Sequence, residues 1–215
     1  MRIVKEADVR KNEILDAAGI LFTEKGYDNT SVTDIMNAVG IAKGTLYHHF
    51  KSKEDIMDAL IKRQTADILV SAKKIADDKS IPVKERIVQT ILELHVDTKQ
   101  AEGEKMIVQL HKPQNAQMHQ KTKKVVFQGV PPIMADIVKD GVLQGIFETP
   151  YPLECMEMAL CYLDVMLDDD MFELTEAERL DKIRAFIYQL ERLLGVEEGE
   201  LASFEKAFVG RQSEI

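Results

Sequence analysis

The chain of 215 residues has no long uninterrupted apolar run. A helix that crosses a bilayer needs about 20 predominantly apolar residues, so no transmembrane segment is expected. No secretory leader is expected either, because charges interrupt the apolar positions of MRIVKEADVRKNEILDAAG. Proline is scarce at 6 and glycine modest at 11. Strict alternation of polar and apolar residues is nowhere long enough for a strand, and neither internal repeats nor low-complexity segments occur. The two cysteines, Cys155 and Cys161, sit six apart in one expected helix. That spacing turns them about 240° from each other, so they do not pair easily, and a reducing, cytoplasmic compartment fits. The sequence also lacks a serine nucleophile elbow, a P-loop and a dinucleotide fingerprint. His95, His111 and His119 raise a metal hypothesis, but no two of them share the i, i+4 spacing and no Cys or Glu completes a set. Satisfied or exposed histidines are expected instead. Neither a metal nor a cofactor is expected, and the chain is not expected to be an enzyme.

Hydrophobic residues make up 45% of the chain and charged residues 30%, the mix of a soluble globular protein. The net charge of −9 argues at first against nucleic acid. The surplus is uneven. Residues 1–55 carry 8 Lys and Arg against 9 Asp and Glu, whereas residues 56–215 carry 20 against 28. A near-neutral segment still presents a basic face if its acids point elsewhere.

Helical periodicity dominates. Ile14, Ala17, Ala18, Leu21 and Phe22 form one stripe, and Gly26 ends that helix. A second helix is expected over Val32–Val39, with Ser31 as N-cap and Asp34 completing a capping box. Gly40 and Ile41 make a tight turn before a third helix that reaches about Phe50. Ser52 caps a long fourth helix running to about Ala76, with Glu54 and Asp55 placed for its dipole. DDKS (77–80) breaks it, and Pro82 opens a helix to about Gln100. A short helix near 105–111 ends before Pro113. The region 116–144 reads as helical, but Pro131 and Pro132 must kink or split it. A loop at 145–152 precedes helices over Leu153–Leu167 and Thr175–Leu194, the second opened by a Thr175–Glu178 capping box and closed by Gly195. The polar tail holds at most another turn or two.

The expected fold is all-α: an N-terminal three-helix helix-turn-helix domain, then a larger helical domain. The first group is too small to bury much alone and is expected to lean on the fourth helix. Domain boundaries are expected at 1–54, with the motif at about 31–50, then 55–196, and a tail at 197–215.

The stretch VGIAKGTLYHHFKSKEDI, Val39 to Ile56, carries the functional signal. On a helix from Ala42 to Phe50, Leu46 and Phe50 point inward toward Ile35, Val39, Leu21 and Phe22. Lys43, Tyr47 and Lys51 then share an outer edge, with Gly44 and His48 beside them. A short helix–turn–helix with glycine in the turn places its second helix in the DNA major groove. Lys43 reaches a guanine edge or a phosphate, Thr45 a thymine methyl or a phosphate, and Tyr47 and His48 phosphates or bases. Gly44 costs about 1 kcal/mol of helix stability relative to alanine, and close approach to DNA would give it a reason. Plainer readings exist beside these. Tyr47 could pack on the first helix, Lys51 could be a solvated charge, and Gly40 is a turn residue whatever the function. His49, beside the buried edge, is read as structural.

The segment TSVTDIMNAVGIAKGTLYHHFKSKEDIMDALI resembles the DNA-binding segment of TetR-family transcriptional regulators, with a match from about Ile14 to Ile61. The resemblance implies that Lys43, Gly44, Thr45, Tyr47 and His48 face the groove. It also implies that Ser31, Thr33 and Lys53 contact phosphates; Lys51, by its place on the outer edge, joins the same DNA-binding set. Ala42 departs from the family pattern, where a serine often caps the reading helix. The family implies a ligand-responsive regulator, expected here to be a repressor released from double-stranded operator DNA by an unknown small-molecule effector. It also implies a homodimer held by the last two long helices.

The C-terminal region says less. Met106, Met118, Met134, Met156, Met158 and Met166 fit either an adaptable pocket or plain core, the pocket reading being strongest for Met106 and Met134. Gln109, Phe127, Cys161 and Tyr162 are further candidates for ligand contact. Leu153, Met156, Leu160, Leu163 and Leu167 form one stripe, and Leu180, Ile183, Ile187, Leu190 and Leu194 another; a single chain could bury both, or they could pair with a second copy as the resemblance implies. The competing reading of the whole chain is an all-helical small-molecule-binding protein or enzyme without a transcriptional role.

Overall fold

A computed structural model describes residues 2–96, 112–168 and 171–209. Every element among them is helical. The order is α1 (Arg2–Lys25), α2 (Val32–Val39), α3 (Lys43–His49), α4 (Lys53–Asp77) and α5 (Val83–Val96). A 3₁₀ turn at Pro113–Asn115 then leads into α6 (Ala116–Leu143), followed by α7 (Pro152–Met166) and α8 (Glu176–Leu194). A second 3₁₀ turn, Ala202–Phe204, precedes the short α9 (Glu205–Val209). The helix expected near 105–111 and the end expected for α5 near Gln100 lie outside the described residues.

Local chemistry sets the boundaries. Ser31 accepts from the Asp34 backbone N–H at 3.1 Å while Asp34 accepts from the Ser31 N–H at 2.8 Å, the reciprocal capping box. Thr175 and Glu178 repeat it at the start of α8. Gly40 and Gly195 end α2 and α8 with φ of 72° and 66°, the left-handed region where a side chain is disfavoured.

The described chain forms two compact units. The first comprises residues to Asp67 and the described part of Asp97–Val126, and the second Ile68–Val96 and Phe127 onward. The boundary expected at residue 54 falls inside the first unit, for a physical reason. The three-helix head closes its core with Ile56, Met57, Leu60 and Ile61 of α4 and with Met118 of α6. These pack with Ile14, Phe22, Ile35, Leu46 and Phe50. The turn before α6 is bonded to the α1–α2 connection. The buried Asn115 side chain accepts from the Tyr27 N–H at 2.7 Å, and Gln114 O accepts from the Asp28 N–H at 3.3 Å. Lys121 donates to Glu54 and Asp58, each at 2.7 Å.

In the second unit α6 decides against one of two expected outcomes, the split. Pro131 and Pro132 sit inside a helix that is not split. Each proline removes one N–H donor, but Val130, Met134, Ala135, Ile137 and Val138 are buried along the same helix, and their packing holds it through the two missing bonds. The α8 stripe follows the reading in which a single chain buries it. Ile183, Ile187, Leu190 and Leu194 are buried within the single chain, alongside Leu201 and Phe204 of the C-terminal turn. They are core and not a free seam. The large apolar residues that α7 and α8 leave exposed are Met158, Val165 and Tyr188.

Candidate nucleic-acid interface

α3 begins at Lys43 because Ala42, in an extended conformation, offers no side-chain cap; the Ala42 carbonyl accepts from the Thr45 and Leu46 N–H groups instead. It ends at Phe50, which is extended and whose N–H donates to Leu46 O at 2.9 Å. Helical spacing then divides the seven residues. Leu46 and the following Phe50 enter the core, whereas Lys43, Gly44, Tyr47 and His48 are exposed. Tyr47 is 44% exposed, so it is not packed away against α1. Its ring lies 5.8 Å from the Lys43 ammonium, which leaves both groups on one outward edge. A Cβ built on Gly44 would meet nothing within 4 Å. Nothing in the fold of this unit therefore requires glycine there. Thr45 is half-buried.

The remaining candidates divide. Thr33 and Lys51 are exposed, and the Lys51 N–H donates to Asp55 at 2.8 Å. Ser31 is exposed, but its hydroxyl is engaged in the cap, 2.6 Å from Asp34 Oδ2. Those bonds hold the Asp34 carboxyl below the usual carboxylate range, the Ser31 hydroxyl first and its N–H next. The Lys53 side chain turns into the unit. Its ammonium donates to the Tyr27 carbonyl at 2.7 Å and lies 4.1 Å from the Tyr27 ring centroid. His49 is half-buried, and burial, reinforced by His48, Lys11 and Arg10, lowers its pKa, which favours the neutral ring.

Of the ligand candidates, Met106 and Gln109 lie outside the described residues. Met134 is buried on α6 and Phe127 half-buried. Tyr162 stacks on Phe186 with centroids 5.6 Å apart. Cys161 is exposed and Cys155 buried, both as free thiols. Phe127 and Met134 thus lie on α6, and Cys161 and Tyr162 on α7. Sequence reasoning passed over Asn115, in a turn it did not name, and Lys121, Arg86 and Thr90, in helices that it located. Only the pairing of distant segments gives them meaning, and periodicity carries no such signal.

Comparison with known proteins gives consistent matches. Residues 14–60 match the family described as bacterial regulatory proteins, tetR family. Residues 98–188 match the tetracyclin repressor-like C-terminal domain. Together the matches cover well over half of the chain. The HTH-type transcriptional repressor KstR2 of Mycobacterium tuberculosis is 34% identical over 83 residues, 39% of this chain and 42% of that protein. The biofilm operon icaADBC HTH-type negative transcriptional regulator IcaR of Staphylococcus aureus is 48% identical over 52 residues, 24% of this chain and 28% of that one. The matched segment thus spans less than half the length of these curated relatives. Among solved structures, the fatty acid degradation regulator FadR from Bacillus halodurans aligns over 94% of this chain and 96% of its own, with TM-score 0.59 and 18% identity, which is a likeness of fold.

Proposed function

Because the chain belongs to the tetR family of bacterial regulatory proteins, we propose that it is a ligand-responsive transcriptional repressor that binds operator DNA as a homodimer. The observation that carries this reading is the outward edge of α3. Lys43, Tyr47 and His48 offer donors to base edges and phosphates, Leu46 and Phe50 anchor the helix from behind, and Gly44 leaves the backbone open to close approach. Thr45, Thr33, Ser31 and Lys51 surround that edge as phosphate contacts. Lys53 belongs to the set only if its ammonium leaves the Tyr27 carbonyl on binding.

One short helix reads few base pairs, so a two-fold dimer reading two half-sites supplies specificity. The exposed apolar residues Met158, Val165 and Tyr188 on α7 and α8 support a dimer through those helices. The two reading helices then stay about one DNA turn apart, roughly 34–36 Å. α4 is one continuous helix whose residues belong to both compact units. An effector bound in the second unit that favours another separation competes with DNA, a coupling typically worth about 1–3 kcal/mol and necessarily reciprocal. The KstR2 and IcaR names, both those of repressors, support the sign of regulation. Catalysis has no part in this scheme, and the protein acts in the cytoplasm, where its DNA is.

The test is a gel shift and footprint on the DNA upstream of its own gene, with sedimentation of the bound species. A protected two-fold site occupied by two chains is expected. Failure to bind that DNA above the non-specific level would leave the all-helical binding protein as the better reading.

A further inference from the structure

α5 buries one continuous stripe: Val83, Arg86, Ile87, Thr90 and Ile91. Three of these are apolar, as a stripe facing a core should be. Arg86 and Thr90 are not, yet they are 1% and 0% exposed. They lie one helical turn apart, on the same face. Part of Arg86 is accounted for. Its Nη1 donates to the Ala76 carbonyl and to Asp140 Oδ2, each at 2.7 Å, and Asp140 also takes Lys79. Its Nε–H is fully buried without a hydrogen-bond partner, and so is the Thr90 hydroxyl.

The Thr90 hydroxyl is the more informative. A threonine within a helix commonly bonds the carbonyl four residues back. Thr23, Thr65 and Thr122 do so, to Gly19, Ile61 and Met118 at 2.9–3.0 Å. Thr90 has the Arg86 carbonyl in the same relation and does not use it. Buried polar groups are nearly always paired. Two unpaired ones on adjacent turns of one helix therefore point to a guest that pairs with both.

The donor chemistry selects the guest. An arginine Nε–H only donates and stays charged at any working pH, and a hydroxyl can donate beside it. Two donors one turn apart on one helical face, one of them cationic, take an acceptor with more than one lone pair in reach. A carboxylate meets that description, since charge-assisted bonds are the stronger ones. The neighbours on the stripe and the buried stretch of α6 are aliphatic, so the rest of the guest is apolar. We propose that Arg86 Nε and the Thr90 hydroxyl anchor the effector of this regulator, and that the effector is a small carboxylic acid with an apolar body. The assignment rests on the ligand-responsive reading above and gives its site a polar end. Because both atoms are covered by protein, the neighbouring side chains must part to admit the acid.

The experiment measures thermal shifts and binding isotherms of the full-length protein with octanoate, decanoate and 4-phenylbutyrate, and with the matching alcohols. At least one acid should stabilise saturably while its alcohol does not. Thr90→Val keeps the shape and removes the hydroxyl, so it should leave the melting temperature of the free protein unchanged or higher and weaken the acid about tenfold or more. Arg86→Lys keeps the charge and loses Nε; it should weaken the acid too, and its own melting curve reports whether it folds. The proposal falls if none of the acids binds, if acid and alcohol bind alike, or if Thr90→Val binds the acid like the parent. A lower melting temperature of free Thr90→Val would also sink it, because the hydroxyl would then have a structural partner. Operator binding is measured separately. A parent that holds the acid through Thr90 but binds no operator removes the repressor reading and leaves the site.

Discussion

In the first unit, α3 turns Leu46 inward, with Phe50 just after it, and Lys43, Gly44, Tyr47 and His48 outward; in the second, α5 turns Arg86 and Thr90 inward among Val83, Ile87 and Ile91. The difference is one of cost. An outward lysine or tyrosine remains solvated and asks nothing of the fold, so its meaning comes from the company it keeps. An inward polar group is destabilising unless paired, so each one carries meaning by itself once burial is known. Surface function is therefore readable from helical spacing, whereas interior function becomes readable only when the packing of separate helices is known.

The sharpest way to break this contrast is at Asp140, which takes Nη1 of the buried Arg86. Asp140→Ala should cost about 3 kcal/mol in urea unfolding, the low end for breaking a buried ion pair, because the carboxylate is itself partly exposed. Desolvation pushes the Asp140 carboxyl upward, but Lys79 and Arg86 outweigh it and hold the carboxyl below its ordinary range. A lowered folded pKa means that the stabilisation is complete above the unfolded value of about 3.9 and disappears as pH falls through the folded value. The gap between parent and variant should therefore close in acid. A gap that persists unchanged down to pH 3 would mean that the charge of Asp140 contributes nothing.

Asn115 asks the same question of the first unit. Its side chain accepts from the Tyr27 N–H and donates to the Phe22 carbonyl, both buried. Asn115→Leu fills the same space and orphans both, at about 2 kcal/mol. Operator affinity should fall only as far as the folded fraction does. A variant that unfolds like the parent would show that the turn before α6 does not lock the α1–α2 connection.

At the outward edge the expected effects are on binding and not on stability. Tyr47→Ala and Lys43→Ala should each weaken specific operator binding by about 1–3 kcal/mol with melting temperature and oligomeric state unchanged. If Lys43 meets a phosphate, its loss should also lower the salt slope by about one unit. Parental affinity in both variants would remove α3 from the interface.

How much of this was legible depended on range. Ser31 with Asp34, Thr175 with Glu178, and Gly40 and Gly195 are local signals, and each marked a helix end correctly. The inward pair Leu46 and Phe50 followed from spacing within a single helix. Pro131 and Pro132 left a kink and a split equally open, because the cost of two missing donors is local while the packing that keeps the helix continuous comes from other helices. The α8 stripe was seen, but not what covers it, since Leu201 and Phe204 follow the helix and return to the core. Asn115 reads as an ordinary turn residue until Tyr27, far away in sequence, supplies its partner. Arg86 and Thr90 draw no notice until they are found inside.

The smallest expected effect separates fold from function most directly, because its two readouts move in opposite directions. Gly44 lies in α3 without a positive φ, so alanine can take its backbone conformation. The added Cβ would meet nothing within 4 Å, so it would clash with nothing in the unit. Glycine in a helix costs up to about 1 kcal/mol relative to alanine, through the freedom of the unfolded chain. Gly44→Ala should therefore raise the melting temperature by about 2–4 °C for a chain of this size. If the open space at Gly44 is where DNA backbone or a base edge comes close, the same methyl group should weaken the operator on the order of tenfold, the size of one lost base or phosphate contact. A stabilised variant with parental affinity would leave Gly44 without a functional reason and push the interface toward Lys43 and Tyr47 alone. A destabilised variant would mean that the space around Gly44 is not open in the free protein.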